Sequence, residues 1–367
     1  MVRIPIARTL TTAAIAATVL LTLVTTPASA GGGGVRAVKV AGGLNNPAAF
    51  TFTPNGTVVY LERGTGQVRF RNLKTGFDRR FFRITGVNGS GERGALGVAV
   101  HPGWPRKPFV YVYATRRAGG ALRNQIVRIR ERNGRGVGMT TILSTPASSS
   151  PYHNGGRILF GPDRKLYAIV GDGHSAANAQ DTTKNLRGKI LRLNPDGSRP
   201  RTNPVISGKR SRIFAYGIRN SFGFAFDPSN RRLWETENGP SCNDEVNLVR
   251  RGGNYAWGPH QSCPNTNQDG PAPRRLPKVN FSTPIGITGA VFCDGCGLAG
   301  RDGDLLFGDC CGTGAVRRVT LNAARDDVLG GPVTMLNPPG AVLSMEAAPD
   351  GRIYFSTFNS IFRLRNR

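Results

Sequence analysis

A repeated turn-and-strand unit constrains the fold of this chain more than any other feature. Each copy has a turn, usually with Pro, then a strand of alternating apolar and polar residues, then a second strand in which apolar residues alternate with basic ones. The turn residues reverse the chain, and the alternation gives each strand one buried face. The six turns lie at residues 53–56, 101–102, 161–163, 227–228, 300–303 and 349–351.

Six units in fixed order but at uneven spacing predict an all-β fold, a six-bladed β-propeller with insertions in its loops. Residues 35–41 form an extra strand before the first full unit, so we expect them to complete the last blade and close the ring. The sequence of residues 178–186 predicts one short helix or a loop. The 49 Gly and 25 Pro suit a chain with many turns, and a hydrophobic content of 39% excludes a disordered polar chain.

The N-terminus has the three parts of a secretory signal peptide in the expected order. Arg3 and Arg8 supply the positive segment, residues 13–24 the apolar core, and Ala28-Ser29-Ala30 the cleavage site. No later apolar run approaches the ~18 residues that a membrane span needs, so we expect an exported protein, secreted or cell-wall associated, without a transmembrane segment. The predicted segments are the signal peptide at 1–30, a flexible Gly-rich stretch at 31–34 and the propeller at 35–367.

The chain is strongly basic, with 49 Lys and Arg against 22 Asp and Glu and a formal net charge of +27. The basic residues are spread over the predicted outer strands, no nucleic-acid-binding module is recognisable, and aromatic residues are not interleaved in basic loops. We therefore expect no nucleic-acid partner, and we predict attraction to acidic surfaces of the cell envelope.

His153 and Asp172 are the candidates for proton transfer. His153 lies beside two glycines that permit close approach, and a neutral imidazole accepts a proton near neutral pH. Asp172 follows a predicted strand, where a carboxylate can orient an imidazole. The alternatives are a histidine bonded within a turn and a simple Asp-Gly turn. His101 occupies the turn of a repeat, so we expect a structural role for it.

Two further loop segments carry groups suited to an anionic ligand and to a cation. Arg219 and Asn220 form a donor pair for anionic oxygens, with an Arg packed over Tyr216 or Phe222 as the alternative. A second segment has the carboxylate and carbonyl oxygens that calcium prefers, and its alternative is an acidic turn that caps the next strand. That segment consists of Asn238, Gly239, Pro240, Asp244 and Glu245.

All six cysteines lie in the last third of the chain. Cys293, Cys296, Cys310 and Cys311 could be drawn as a zinc site, but export favours disulfides. We therefore expect a Cys242–Cys263 disulfide, with Cys293 and Cys296 paired to Cys310 and Cys311 in an order that the sequence leaves open.

Five stretches in this order resemble the soluble quinoprotein glucose/sorbosone dehydrogenases, a family that includes the aldose sugar dehydrogenases. The resemblance covers roughly residues 40–365, and its stretches are GERGALGVAVHP, HNGGRILFGPDRKLYAIVGDG, LRGKILRLNPDG, FAYGIRNSFGFAFDP and ENGPSCNDEVNLVRRGGNYAW. It implies a six-bladed propeller that binds pyrroloquinoline quinone (PQQ) and calcium at the channel mouth, with a sugar as substrate and an external electron acceptor.

The resemblance also implies residue roles. His153 would be the general base, oriented by Asp172, and Arg219 would contact the quinone oxygens and assist the chemistry. The other implied positions are Glu92, Asn220 and Asn238 beside the cofactor and substrate, Gly239 and Pro240 as carbonyl ligands of the catalytic calcium, and Glu245 with the Tyr255 carbonyl at a structural calcium.

Three departures from the family pattern accompany these matches. Tyr152 stands where members have Asp, Asn238 stands where they have Gln, and the stretches GDCCGTGAVRR and GAVLSMEAAPDG lack the Lys and Arg that face the cofactor's carboxylates. Two hypotheses therefore remain: an exported PQQ- and calcium-dependent aldose dehydrogenase, and a non-catalytic propeller that binds an anionic envelope polymer or a protein partner.

Overall fold

The computed structural model describes residues 34–259, 263 and 270–367, and these residues form a six-bladed β-propeller. The predicted signal peptide and residues 31–33 lie outside the described residues. Each blade is a four-stranded antiparallel sheet. The one helix among these residues, α1 (Ala177–Gln180), overlaps the segment 178–186 where a short helix or loop was predicted. No helix in the described part of the chain has the length and hydropathy needed to cross a membrane.

The strands follow one another around the ring. The first strand is β1 (Val35–Ala41). Blade one consists of β2 (Phe50–Phe52), β3 (Val58–Leu61), β4 (Gln67–Arg71) and β5 (Asp78–Arg83). Blade two consists of β6 (Ala95–Val100), β7 (Phe109–Ala118), β8 (Ala121–Arg132) and β9 (Arg135–Pro146). Blade three consists of β10 (Ile158–Phe160), β11 (Leu166–Val170), β12 (Lys189–Leu193) and, after a small hairpin of β13 (Val205–Ile206) and β14 (Lys209–Arg210), β15 (Ile213–Tyr216).

The other blades repeat this order. Blade four consists of β16 (Ser221–Phe226), β17 (Leu233–Glu237), β18 (Asp244–Val249) and β19 (Val279–Phe281). Blade five consists of β20 (Ile287–Phe292), β21 (Leu305–Asp309), β22 (Val316–Leu321) and β23 (Val328–Leu336). Blade six consists of β24 (Ser344–Ala347), β25 (Ile353–Ser356), β26 (Ile361–Asn366) and β1.

The predicted ring closure is confirmed. β1 pairs antiparallel with β26, from Val35 opposite Asn366 to Ala41 opposite Ile361. The first strand of the described chain thus becomes the outermost strand of the last blade, so hydrogen bonds between the two ends of the propeller hold the ring shut.

Blades pack face to face, and this explains the alternation in their sequences. Six clusters of buried hydrophobic residues fill the six interfaces between neighbouring blades. The second strand of a blade contributes to the clusters on both sides: in β11, Leu166 and Ala168 face blade two, whereas Tyr167 and Ile169 face blade four. Such strands are buried on both faces and therefore read as continuous apolar runs.

The innermost strands surround a central channel, which holds a cavity of about 330 Å³. Because successive strands are antiparallel, the turns that join first to second and third to fourth strands lie on one face, which we call the rear face. The loops that join second to third strands, and fourth strands to the next blade, lie on the opposite face. That opposite face carries the loop segments singled out in the sequence.

The disulfides correct one expectation. Cys242 pairs with Cys263 as predicted, but Cys293 pairs with Cys296 and Cys310 with Cys311. Cys293 follows β20 at one end of the β20–β21 hairpin, where its N–H donates to the Asp304 carbonyl. Cys310 follows β21 at the other end, where its N–H donates to the Gly286 carbonyl. The length of β21 separates the two pairs, so the expected cross-pairing is excluded, and the bonded cysteines form no zinc site.

Glu346 in the channel predicts a pH effect on stability. Burial raises the pKa of Glu346 to about 7, although the charge of Arg157 opposes this shift. The folded protein therefore holds a proton on this carboxyl group that the unfolded chain releases near pH 4.3. The contribution of this proton to stability is fully present below about pH 4.3 and is lost as the pH rises through about 7. We expect Glu346→Gln to be more stable than the wild type by about 1–3 kcal/mol at pH 8.5 in urea unfolding. Equal pH dependence of the two proteins would contradict this assignment.

Candidate active site

The loops opposite the rear face enclose a cavity of about 360 Å³. These loops precede or follow strands of blades two to five, so neighbouring blades bring together residues that are distant in sequence. Eight of the predicted site residues line this cavity: Glu92, His153, Arg219, Asn220, Asn238, Gly239, Pro240 and Asp244.

His153 and Asp172 are brought into direct contact. His153 Nδ1 lies 2.7 Å from Asp172 Oδ1, and both side chains are buried, with 9% and 1% of their side-chain surface exposed. A carboxylate only accepts hydrogen bonds, so Nδ1 carries the proton of a neutral ring and Nε2 keeps its lone pair. The imidazole is therefore fixed in the tautomer that can take a proton from a ligand.

The backbone around His153 explains the two adjacent glycines and a third one. His153 itself has a φ of +57°, which is uncommon outside glycine, and Gly155 has a φ of +67°. At Gly171, a Cβ atom would lie 2.4 Å from the His153 carbonyl oxygen. Strand β11 and the His153 loop can therefore approach closely only because position 171 has no side chain, and this approach brings Asp172 to the imidazole.

Two residues that the sequence did not indicate complete the surroundings of Asp172. The indole N–H of Trp257 donates to Asp172 Oδ2 at 2.7 Å, and the backbone N–H of His174 donates to Oδ1 at 2.7 Å. The His174 ring lies 4.8 Å from the His153 ring and lines the same cavity. The carboxylate thus receives three donors, which fix its orientation.

Glu92 links two neighbouring loops. Its Oε2 accepts a hydrogen bond from the backbone N–H of His153 at 2.8 Å and another from Asn220 Nδ2 at 2.9 Å. Asn220 in turn accepts the backbone N–H of Gly155 at 3.3 Å. Glu92 and Asn220 therefore hold the loop of His153 in place while they line the cavity.

Arg219 is the only Arg or Lys that lines this cavity within the described residues. Its guanidinium lies 5.5 Å from the Trp257 ring rather than over Tyr216 or Phe222, and Nη1 donates to the Asn238 carbonyl at 2.9 Å. Burial lowers the pKa of Arg219, and the charges of Asp172, Glu237 and Glu92 oppose this shift. Its Nε is buried without a hydrogen-bond partner in the described part of the chain, so Arg219 retains donor capacity.

The Gly239–Pro240 turn is fixed by Asp244. Asp244 accepts the backbone N–H groups of Gly239 and Gly286, each within 2.9 Å, and those of the two residues that flank Gly286. Its two oxygens are thus occupied by backbone donors from two loops. Within the described residues, no N–H donates to the carbonyl oxygens of Gly239 or Pro240.

Behind this turn lie three buried carboxyl groups, those of Glu235, Glu237 and Glu245. Glu245 is opposite Glu237 in the β17–β18 register, and its Oε2 accepts Asn247 Nδ2 at 3.0 Å. Burial raises the pKa of Glu235 to about 7, and burial together with the charges of Glu235 and Glu245 raises the pKa of Glu237 further. The negative charge of these carboxylates must therefore be neutralised, either by protons or by a bound cation.

Of the other residues in the matched stretches, some lie outside the cavity lining and some line it. Tyr255 is buried between blades three and four, where its hydroxyl donates to the Leu248 carbonyl at 2.7 Å. Arg317 and Arg318 lie in β22 and pair with Asp309 and Asp304. Tyr152 lines the cavity and is 49% exposed, and Cys311 also lines it. Within the described residues, no group of three or more His, Cys, Asp or Glu is arranged to hold a metal ion.

Besides His153 and His174, the chain contains His101, which lies outside the cavity lining described above, and His260. His101 is buried in its repeat turn and its Nδ1 accepts the Gly103 N–H at 2.9 Å, which agrees with the structural role expected for it. His260 lies outside the described residues.

The indole–carboxylate bond predicts a coupled effect on stability. Trp257→Phe removes the donor to Asp172 Oδ2, and we expect it to lower the free energy of unfolding by about 1–3 kcal/mol, because a buried carboxylate oxygen loses its partner. The cost should be smaller in an Asp172→Asn background, since a neutral acceptor makes a weaker bond. A double-mutant cycle by urea unfolding measures this difference, and equal costs in the two backgrounds would refute the coupling.

Comparison with known proteins agrees with this arrangement. The chain is 32% identical to quinoprotein glucose dehydrogenase B of Acinetobacter calcoaceticus over 248 residues, which are 59% of this chain and 51% of that protein. It is 29% identical to aldose sugar dehydrogenase YliI of Escherichia coli K12 over 226 residues, 58% of this chain and 59% of that protein. The chain thus spans between half and three fifths of the length of these curated relatives.

A solved structure matches over most of the fold. The PQQ-bound aldose sugar dehydrogenase of Streptomyces coelicolor superposes with a TM-score of 0.78 at 27% identity, covering 91% of this chain and 98% of that one. The model of the glucose/sorbosone dehydrogenase family matches residues 44–364, which include all six blades apart from the outermost strand β1 and the last residues of β26. The chain therefore belongs to the glucose/sorbosone dehydrogenase family.

Proposed function

We propose that this protein is a PQQ- and calcium-dependent aldose sugar dehydrogenase that oxidises the C1 hydroxyl of its substrate. The observation that carries the proposal is the buried His153–Asp172 pair, whose Nδ1–Oδ1 distance is 2.7 Å, in the same loop cluster as Arg219 and the Gly239–Pro240 turn. The names of its relatives, a quinoprotein glucose dehydrogenase and two aldose sugar dehydrogenases, support the substrate class.

The chemistry of the cavity lining fits the quinone. Arg219 has donor capacity beyond its bond to Asn238, and a guanidinium suits the anionic oxygens of a quinone that gains charge. Asn220 and Asn238 would lie beside the cofactor, and Glu92 beside the sugar. PQQ, when bound, supplies the carbonyl that accepts a hydride from the sugar.

The Gly239–Pro240 turn fits a calcium ion. Its two carbonyl oxygens accept no N–H within the described residues, and carbonyl oxygens are preferred calcium ligands. A second, structural calcium at Glu245 and the Tyr255 carbonyl is supported by the crowding of Glu235, Glu237 and Glu245, because a cation would relieve the repulsion among these carboxylates.

In the proposed mechanism, His153 Nε2 takes the proton of the sugar hydroxyl as C1 is oxidised. The imidazole then carries a positive charge, which Asp172 stabilises through Nδ1. Trp257 and the backbone of His174 keep the carboxylate aimed at the ring, and Glu92 holds the His153 backbone. The chain's own groups therefore orient the base and stabilise the charge that it acquires.

We also propose where the reaction takes place and with which partners. The sequence at 1–30 supports export, after which the sugar and an external electron acceptor would reach the cavity from outside the cell. The domain would comprise residues 35–367, and we propose no nucleic-acid partner.

Reconstitution tests the proposal. Apoprotein is incubated with PQQ and calcium, and then assayed with a sugar panel and an artificial electron acceptor. We expect quinone absorbance on the protein and turnover. His153→Gln should retain the absorbance but lower kcat/KM by roughly 10²- to 10⁴-fold, whereas His101→Gln, a buried histidine outside the cavity, should be unaffected.

Two outcomes would count against this account. An active His153→Gln variant would remove His153 as the base. A wild-type protein with neither bound quinone nor turnover would favour the non-catalytic propeller. That alternative is supported by the presence of one Arg among the described residues that line the cavity, since fewer cations hold a tricarboxylate less tightly.

A further inference from the structure

A basic and aromatic surface lies on blade one, away from the candidate active site. Its core is Phe77, Arg79, Arg80, Arg83 and Arg135, which we call the arginine surface. These residues come from β5 with the turn before it and from the start of β9, and they line a shared recess of about 770 Å³. The recess lies where the outermost strands of blades one and two meet.

The four arginines have no acidic partner. In the described part of the chain, no carboxylate lies within ion-pair distance of any of them, and the one acid of β5, Asp78, pairs instead with Arg69 and Arg71. Arg79 lies 5.8 Å from the Phe70 ring, which positions its stem without neutralising its charge. Four positive charges thus stand together without compensation, so the surface has a local excess of positive potential.

Phe77 adds an exposed apolar group to this surface. It lies in the turn between β4 and β5 and is 63% exposed, the largest exposure among the large hydrophobic side chains of the described residues. Phe82 is half-buried in the wall of the recess. An exposed aromatic ring beside several arginines is typical of surfaces that insert into the interfacial region of a membrane.

Protection of an exposed sheet edge does not explain the cluster. Charged residues commonly block edge-to-edge pairing of outer strands. However, the outer strands β15, β19 and β23 carry no Lys or Arg, β9 carries only Arg135, and β1 carries one Arg and one Lys against three Arg on β5. The concentration of arginines on β5 is therefore specific to blade one.

We propose that the arginine surface binds the headgroup region of an anionic lipid bilayer. The arginines would contact lipid phosphates and Phe77 would enter the interface beside them. The exposed ring favours a bilayer over a soluble polyanion, because only a bilayer offers it an apolar environment. Phe77 lies in a third-to-fourth-strand turn on the rear face and Arg135 directly follows another, whereas Arg83 ends β5 at the opposite edge, so the bilayer would contact the outer side of blade one and not the loops of the candidate active site.

Vesicle sedimentation tests the proposal with the chain that begins at residue 31, which contains the whole propeller and lacks the apolar leader. We expect binding to vesicles with roughly 30% phosphatidylglycerol and little binding to phosphatidylcholine alone. Arg80→Gln, Arg83→Gln and Arg135→Gln together should weaken the partition coefficient roughly 100-fold, at about fivefold per charge. Phe77→Ser should remove the binding that persists in high salt, because salt screens the arginines but not the ring.

A matched control separates the surface from net charge. Arg201→Gln, Arg274→Gln and Arg365→Gln together remove the same charge from exposed positions elsewhere, and we expect a loss of no more than about threefold. Unchanged melting temperatures establish that all variants are folded. Equal losses in the two triple variants would overturn the proposal, as would binding to soluble polyphosphate that depends on the arginine surface without binding to vesicles.

Discussion

Every blade of this propeller is stable only between two neighbours, because its second strand is buried on both faces. The ring must therefore close, and the pairing of β1 with β26 closes it by joining the two ends of the described chain in one sheet. This constraint also positions the loops. Because each blade is held on both sides, the loops of blades two to five lie against one another, and no additional helix or strand is needed to place them.

The candidate active site depends on that placement at one narrow point. The close approach of Gly171 to the His153 carbonyl joins blade three's second strand to the loop that enters blade three. A side chain at position 171 would separate Asp172 from the imidazole. The proposed proton transfer therefore depends on a glycine at this position. Glu92 and Asn220 extend the same hydrogen-bond network to the loops that enter blades two and four.

Much of the architecture was predictable because turn residues and alternation are local signals. The six turns, the strands that follow them and the role of residues 35–41 in closing the ring were all predicted. The first strands of the blades were not predicted; two of them, β2 and β10, have only three residues each and are too short to show a period. The disulfides were partly wrong because pairing depends on which end of a hairpin each cysteine occupies. Trp257 was missed because its bond to Asp172 arises from tertiary packing and leaves no local pattern. The backbone bond from His174 to Asp172 is local, but the approach of the His174 ring to the His153 ring is also a tertiary contact.

The central claim is that these converging loops form one site for a quinone, a cation and a proton acceptor. A crystal structure of the protein soaked with PQQ and calcium chloride tests it most directly. We expect density for the planar cofactor in the cavity lined by His153 and Arg219, with a cation on the carbonyl oxygens of Gly239 and Pro240. Density for neither, or a cofactor bound away from His153, would contradict it.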